Sequence, residues 1–417
     1  MKDKKIYLGV GLAFLLLMTI SFSYAYFNIK VSGNDNAKDV VVNAGTLSLV
    51  YTDGPEIKVE NIRPGKTITK EVTVKNTGTL DTNYNIVWQS LINEITNDEL
   101  VLSATCQRLN ASGVAEGTCN AISQAPISDT TIAKKISIES GITHKYTFTI
   151  LFKETNANQN YNQGKKFSGV LGIEEYKAPD FATDSWSTII ANVKAGNGSE
   201  YTVGSTKEVN FGSTYGTHTL RVANTSTPSE CSTTGFSQSA CGFVLEFADI
   251  ITTHNMNPKG EYKGTTYKYG WNKDGWPASS MYTFVNNDIY NAIPSEIKNA
   301  IIDTTVVSGH GSDDTENFTS TDKLYLLSPK EIYTNWSSSY DTANNLTRTL
   351  DYYTNIGVTT SNYSGAIKKK GTSTSEWLLR SARSDSNHNF YIVLNSGGWN
   401  GEGATYTRGV APAFRLG

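Results

Sequence analysis

The chain has 417 residues, a formal net charge of −3, 11% aromatic residues with 23 tyrosines, and only 18% charged residues. That length is too great for one ordinary core, so two domains plus extras are expected. The balanced charge argues against a nucleic-acid partner, which asks for a basic excess or stripe, and recurrent apolar and β-branched residues argue against disorder. The abundance of Tyr, Thr, Asn, Ser and Gly suits strands joined by long polar loops.

Taken in chain order, Lys2, Lys4 and Lys5 precede an apolar run from Ile6 to Ile20, followed by Ser23-Tyr24-Ala25. A basic stretch, an apolar stretch and a small-x-small site read as a signal peptide. The apolar run extends towards Phe27, so an uncleaved membrane anchor over 1–27 is the alternative. Either way the chain is expected to be exported, extracellular or at the cell surface. Export makes the four cysteines readable. Cys106 lies near Cys119, and Cys231 lies near Cys241. Two local disulfides are the simplest assignment, each worth about 2–4 kcal/mol. Zinc is the alternative, but no His stands at ligand spacing around either pair.

Residues 28–176 read as one β-sandwich of Ig-like or jelly-roll type. Leu47, Leu49 and Tyr51 alternate; so do Ile68, Val72 and Val74, with Lys70 interrupting. Tyr146, Phe148, Ile150 and Phe152 form a period-two run, and Leu171 and Ile173 follow Phe167. Asp53-Gly54-Pro55, Arg63-Pro64-Gly65 and Asn76-Thr77-Gly78 supply turns. Tyr24-Ala25-Tyr26-Phe27, Gly45-Thr46-Leu47 and IRPGKTITKEVTVKNTG from Ile62 to Gly78 resemble the camelysin and biofilm-fibre family of exported bacterial proteins. The resemblance implies a jelly-roll-like sandwich that in some members assembles into fibres. The family's metalloprotease activity is not carried over, because no zinc-binding motif accompanies it.

Residues 177–183 read as a linker, opened by Lys177-Ala178-Pro179-Asp180. Residues 184–417 read as an α+β domain. Asp184 is expected to cap a helix with Trp186, Ile189, Ile190 and Val193 on one face and Gly196 at its end. Strands are expected over Thr219–Ala223 and Phe243–Phe247. Ser280 is expected to cap a helix with Met281, Phe284, Val285 and Ile289 on one face. Pro294 opens another with Ile297, Ala300 and Ile301. Ser328-Pro329-Lys330-Glu331 reads as a capping box. Phe390–Leu394 and Val410–Leu416 read as strands.

Several of these stretches share a second resemblance. They are Trp186 with the helix after it, Thr202-Val203-Gly204, Gly275-Trp276-Pro277-Ala278-Ser279, Thr321 to Ser328 (TDKLYLLS), Trp377-Leu378-Leu379-Arg380-Ser381 and Gly409 to Leu416 (GVAPAFRL), spanning roughly Asp184 to Gly417. In order, they resemble an uncharacterised domain family of bacterial surface proteins. It is similar in fold to C-type lectins, formylglycine-generating enzymes and the variable proteins of diversity-generating retroelements. The enzymes use a pair of cysteines near the C-terminus; none follows Cys241 here, so oxidase chemistry is not implied. In the variable proteins the corresponding C-terminal stretch binds ligands.

Chemistry is sparse. His144, His218, His254, His310 and His388 are scattered. His310 stands beside Asp313 and Asp314 in a Gly/Ser loop, and no nucleophile motif occurs. Asp313, Asp314, Glu316 and Asp322 are carboxylates that calcium could take, but their spacing fits no calcium loop. Trp276 and Trp377 are expected in the core, whereas Trp399 falls in a flexible polar loop. The richest stretch is C-terminal. Asn387, His388, Asn389, Tyr391, Asn395, Trp399, Asn400, Glu402, Tyr406 and Arg408 combine rigid aromatic area with adaptable hydrogen bonding. Phe390, Ile392 and Leu394 are expected to pack inward and Tyr391, Val393 and Asn395 to face out. The expectation is a non-enzymatic, cofactor-free head that binds a glycan or protein, such as one on another cell surface. Membrane contact would come only through the N-terminal segment. The alternatives are a fibre-forming matrix protein and an unrecognised extracellular hydrolase.

Overall fold

The computed structural model describes residues 40–44, 47–54, 64–128, 130–157, 159–162 and 165–417. The expected signal segment, Gly45-Thr46, Pro55 and Ile62-Arg63 lie outside the described residues. The chain divides into two compact units, one ending at Lys177 and one running from Ala178 to Gly417. Among the described residues no helix is long and apolar enough to cross a membrane.

The first unit is all antiparallel strands: β1 (Val40–Ala44), β2 (Leu47–Asp53), β3 (Thr67–Asn76), β4 (Thr82–Asn93), β5 (Leu100–Leu109), β6 (Ala115–Thr118), β7 (Ile122–Pro126), β8 (Thr131–Ile138), β9 (Thr143–Phe152) and β10 (Phe167–Glu175). One sheet runs β1-β2-β3-β9-β5-β6, with β7 also pairing with β5; the other runs β10-β4-β8. Alternation builds the core between them. Tyr146, Phe148, Ile150 and Phe152 are all buried, as are Tyr84, Ile86 and Trp88 on β4. Lys70 does not interrupt β3: it stays in the inward register, buried, with its ammonium 2.8 Å from Asp53. A disulfide joins Cys106 on β5 to Cys119 beyond β6 and staples that hairpin.

The second unit mixes short strands with short helices. Helix α1 (Trp186–Lys194) is capped by Ser185, whose hydroxyl accepts from Thr188 N–H at 3.1 Å. Asp184, the expected cap, instead accepts from the Tyr201 hydroxyl at 3.1 Å. Strands β11 (Thr206–Asn210), β12 (Thr217–Asn224) and β13 (Val244–Phe247) form a sheet with the last strand of the chain, β25 (Ala413–Arg415). Then come β14 (Thr252–His254), the hairpin β15 (Gly260–Tyr262) and β16 (Thr265–Tyr267), and α2 (Ser280–Phe284). Ser279, one residue before the expected cap, accepts from Tyr282 N–H. After α3 (Ser295–Lys298), β17 (Thr304–Ser308) pairs with β18 (Phe318–Asp322). Helix α4 (Pro329–Ile332) and α5 (Asp351–Asn355) precede β19 (Lys368–Lys370) and β20 (Ser373–Ser375). The C-terminal strands are β21 (Trp377–Ala382), β22 (Asn389–Val393), β23 (Trp399–Gly403) and β24 (Arg408–Val410). They form a sheet in the order β14-β24-β21-β22-β23, which leaves β23 at an edge. Cys231 and Cys241 form the second disulfide.

Residues from the shared sequence stretches meet in this core. Trp276, Leu324 to Leu327, Trp377 to Leu379, Val410 and Phe414 are all buried in one cluster. At its centre Arg380, on β21, is wholly buried and forms a bidentate ion pair with Glu331 of α4, its two N–H groups donating to the two carboxylate oxygens, each at 2.5 Å. Arg380 also donates to the carbonyls of Leu326 (2.8 Å) and Val307 (3.2 Å). Glu331 accepts from Ser328 N–H (2.9 Å), Thr347 (2.9 Å) and Ser239. Removing one member leaves the other charge buried and unpaired. Arg380→Leu should therefore destabilise the second unit by about 3–5 kcal/mol, read from its transition in chemical denaturation.

Candidate functional site

Of the expected binding residues, Trp399, Asn400 and Glu402 lie on β23, the open edge of the five-stranded sheet. The turn between β22 and β23 is tight. Leu394 N–H donates to the Gly398 carbonyl at 2.7 Å, and the buried Tyr333 hydroxyl donates to the Gly397 carbonyl at 2.8 Å. Gly397 sits at φ +90°, and a Cβ there would lie 2.2 Å from the Tyr363 carbonyl oxygen, so only glycine fits. Trp399 is thus not in a flexible loop. It opens β23 opposite Val393, and its position is fixed by the turn before it.

Strand alternation puts Trp399, Gly401 and Gly403 on one face of β23. The two glycines leave bare backbone that side chains from neighbouring loops cover. A Cβ at Gly401 would lie 2.3 Å from Arg383 Cδ; one at Gly403 would lie 3.4 Å from the Tyr406 ring and 3.3 Å from Tyr269 Cβ. Arg383 lies between the rings of Tyr340 and Tyr391, 5.3 and 5.6 Å from their centres, and pairs doubly with Asp385 at 3.0 and 2.6 Å. Trp399 meets Trp336 at right angles, 4.8 Å between centres, and stays 37% exposed. Tyr269 tilts over His388 at 5.3 Å. Arg408 lies 5.5 Å from the Tyr406 ring centre and pairs with Glu402 (2.6 Å) and Glu376 (2.7 Å). Among the described residues, the exposed large apolar side chains of this unit are Tyr269, Tyr340, Ile356, Tyr363, Trp399 and Tyr406. All but Ile356 are aromatic and line β23 or its turn.

Asn272 holds the loop between β21 and β22. Its amide donates to the carbonyls of Ser386 (2.8 Å) and Asn389 (2.9 Å), and its backbone N–H donates to Asn387 at 3.0 Å. Ser384 N–H donates to Tyr340 and Ser312 N–H to Ser386. The backbone of this edge is therefore held by its own hydrogen bonds.

The ten expected residues divide. Trp399, Tyr406, Asn395 and Asn400 are exposed; His388, Glu402 and Arg408 are half-buried, and the Arg408 side chain reaches from β24 to Glu402. Asn387 and Asn389 hold the loop through their carbonyls, and the Asn387 side-chain oxygen meets His388 Nδ1 at 2.8 Å. Tyr391 is a correction: it is wholly buried, bonded to Ser338 at 2.9 Å, with Trp336 across its ring at 5.2 Å. Both faces of β22 are covered, because Phe390 to Val393 are all buried. Sequence reasoning placed the surface in the stretch from Arg383 to Arg408 and missed Tyr269, Tyr340 and Tyr363. They sit up to about a third of the chain away from Trp399, and only the fold brings them together.

The other chemical candidates are occupied structurally. His144 is buried beside the Tyr84 hydroxyl (2.8 Å), and burial lowers its pKa to about 4. His218 bonds Asp249 at 2.6 Å, His254 stacks on Phe284, and His310 bonds the neighbouring Gly311 carbonyl. Asp313 accepts from Tyr267, and Asp322 accepts from the Trp276 indole at 2.8 Å. These carboxylates do not converge with Asp314 and Glu316. Among the described residues the only grouping of metal-ligand side chains is Cys106, Cys119 and His144, whose sulfurs are spent in the disulfide.

Residues 249–417 match the family described as Domain of unknown function (DUF6273), and residues 2–90 match the camelysin metallo-endopeptidase family. Residues 2–90 contain no His and no Cys. A zinc centre built on imidazole or thiolate does not fit that stretch, and no hydrolytic step follows from the match. None of the curated proteins matches the chain. Among solved structures, a family 123 glycoside hydrolase from Clostridium perfringens shares 14% identity, covering 31% of this chain and 26% of that chain with a TM-score of 0.14. A likeness of that size carries no argument.

The site rests on a titratable support. Asp341 is buried and accepts from the Trp336 indole at 2.9 Å. Burial pushes its carboxyl, and that of Asp322, from 3.8 up to about 6. Between those values the folded unit holds protons that the unfolded chain has released. Their contribution to stability is thus complete below about 3.8 and is lost as pH rises through about 6. Asp341→Asn keeps an acceptor for Trp336 without a charge. The melting midpoint of the second unit should fall less steeply over this window in the variant than in the parent chain, as followed by calorimetry.

Proposed function

We propose that this is an exported surface or secreted protein whose second unit recognises a glycan or protein ligand without catalysis. The observation that carries the reading is the clustering of the unit's exposed aromatic side chains along one pre-set sheet edge. Exposed patches of that kind mark contact sites. Export is supported by the camelysin match over residues 2–90 and by two disulfides, which persist in oxidising compartments. The C-type-lectin-like arrangement is part of the proposal. It is supported by the pairing of the unit's last strand, β25, with the early strand β13. For the first unit, two antiparallel sheets over a shared core support the sandwich reading.

Binding to arrays of glycans and purified surface proteins tests the function. The double substitution Trp399→Ala with Tyr406→Ala should abolish the signal given by the parent chain. Both side chains are substantially exposed, at 37% and 46%. The melting midpoint should therefore barely move. Equal binding by the variant, or unfolding of the unit, would count against the proposed surface.

A further inference from the structure

We infer that the edge of β23 takes an uncharged oligosaccharide several sugars long, stacked on Trp399 at one end and on Tyr269 and Tyr406 at the other. This inference rests on the reading of that edge as a recognition surface. The chemistry of the face selects the ligand class. Its exposed apolar side chains are flat aromatics, with no Leu, Met or Val among them. A membrane-binding face adds a cluster of unpaired basic residues. Here three cations, Arg383, Arg408 and Lys268, whose ammonium lies 5.0 Å from the Tyr269 ring centre, stand against three carboxylates: Asp385 beside Arg383, and Glu402 and Glu376 beside Arg408. A neutralised pair gives no steering field for a charged partner. It still offers N–H donors beside carboxylate acceptors, and a sugar hydroxyl uses both. One carboxylate oxygen of Glu402 is buried without a hydrogen-bond partner.

Spacing sets the length. From Trp399 to Gly403, where Tyr269 and Tyr406 lie, the strand advances about 13 Å. That is longer than one sugar ring. A single sugar can use one platform, whereas a chain can use both and gain the second contact without a second loss of translational freedom.

The test uses the whole chain and homologous series of neutral β-linked glucose, galactose and N-acetylglucosamine, from monosaccharide to hexasaccharide. Titration calorimetry reads the affinity. At least one series should bind, with the longer members at least about tenfold tighter than the monosaccharide. Tyr269→Ala or Tyr406→Ala should reduce the affinity of the long members towards that of the short ones. Trp399→Phe, which keeps a ring, should retain more binding than Trp399→Ala. Circular dichroism confirms that each variant is folded. Affinity independent of chain length, or unaffected by both tyrosine substitutions, would overturn the oligosaccharide assignment. If no sugar binds but a purified protein binds in a Trp399-dependent way, the ligand class is wrong and the recognition surface stands. If neither binds, both readings fall.

Discussion

The second unit is organised around a charge pair that is wholly buried. Arg380 and Glu331 each require several partners to compensate for lost hydration. Those partners come from separate stretches: Val307 at the end of β17, Leu326 before α4, Ser239 in the disulfide loop, and Thr347 before α5. Each stretch must sit within hydrogen-bond distance of the same two side chains. The pair thus acts as a geometric constraint, whatever its net stability. A hydrophobic replacement of equal volume can match the energy of such a pair, but it cannot demand the same set of carbonyls and hydroxyls. Ser239 extends the constraint to the disulfide loop, since its carbonyl accepts from Tyr325 at 2.7 Å.

That constraint also explains how a polar surface is held still. β21 carries Arg380 and runs directly into the loop that starts at Arg383. The strand is fixed by the buried pair, and the loop is fixed by Asn272. Trp399 is fixed by the turn that Tyr333 and Gly397 anchor. None of these supports spends the exposed aromatic area itself. Fixing the backbone beforehand means that a ligand does not have to order it on arrival.

Strand periodicity was legible wherever one face was buried and the other wet. β3, β9 and β10 follow from the alternation of apolar residues. The pattern misled at Lys70, where an inward charge finds Asp53, and at Tyr391, where a central strand is covered on both faces. Two helix caps were displaced by one residue, because adjacent residues (Asp184 and Ser185, Ser279 and Ser280) both satisfy the capping rule and only tertiary contacts choose between them, whereas the capping box of Ser328 and Glu331 forms as expected. Asp184 is claimed by Tyr201, which leaves Ser185 to the helix. At the candidate site the C-terminal half was readable as a dense polar and aromatic stretch. The other half was not, since Tyr269 and Tyr340 carry no local signal. Their role depends on glycines at 401 and 403 that admit neighbouring side chains.

Those glycines expose a tension in the edge strand. Glycine weakens a strand, and an open edge invites unwanted pairing. Side chains at 401 and 403 would extend the strand's own cover but would displace Arg383 and crowd the two tyrosines. The observed solution covers the bare backbone from outside, with a cation held between aromatic rings at one glycine and tyrosines at the other. Cover supplied this way presents flat rings and paired charges to solvent, where a covering side chain on the strand would present aliphatic carbon. The same substitution pattern that costs the strand local stability therefore creates the chemical character of its surface. A strand selected only for stability would have no reason to keep one glycine beneath Arg383 and the other beneath exposed tyrosines.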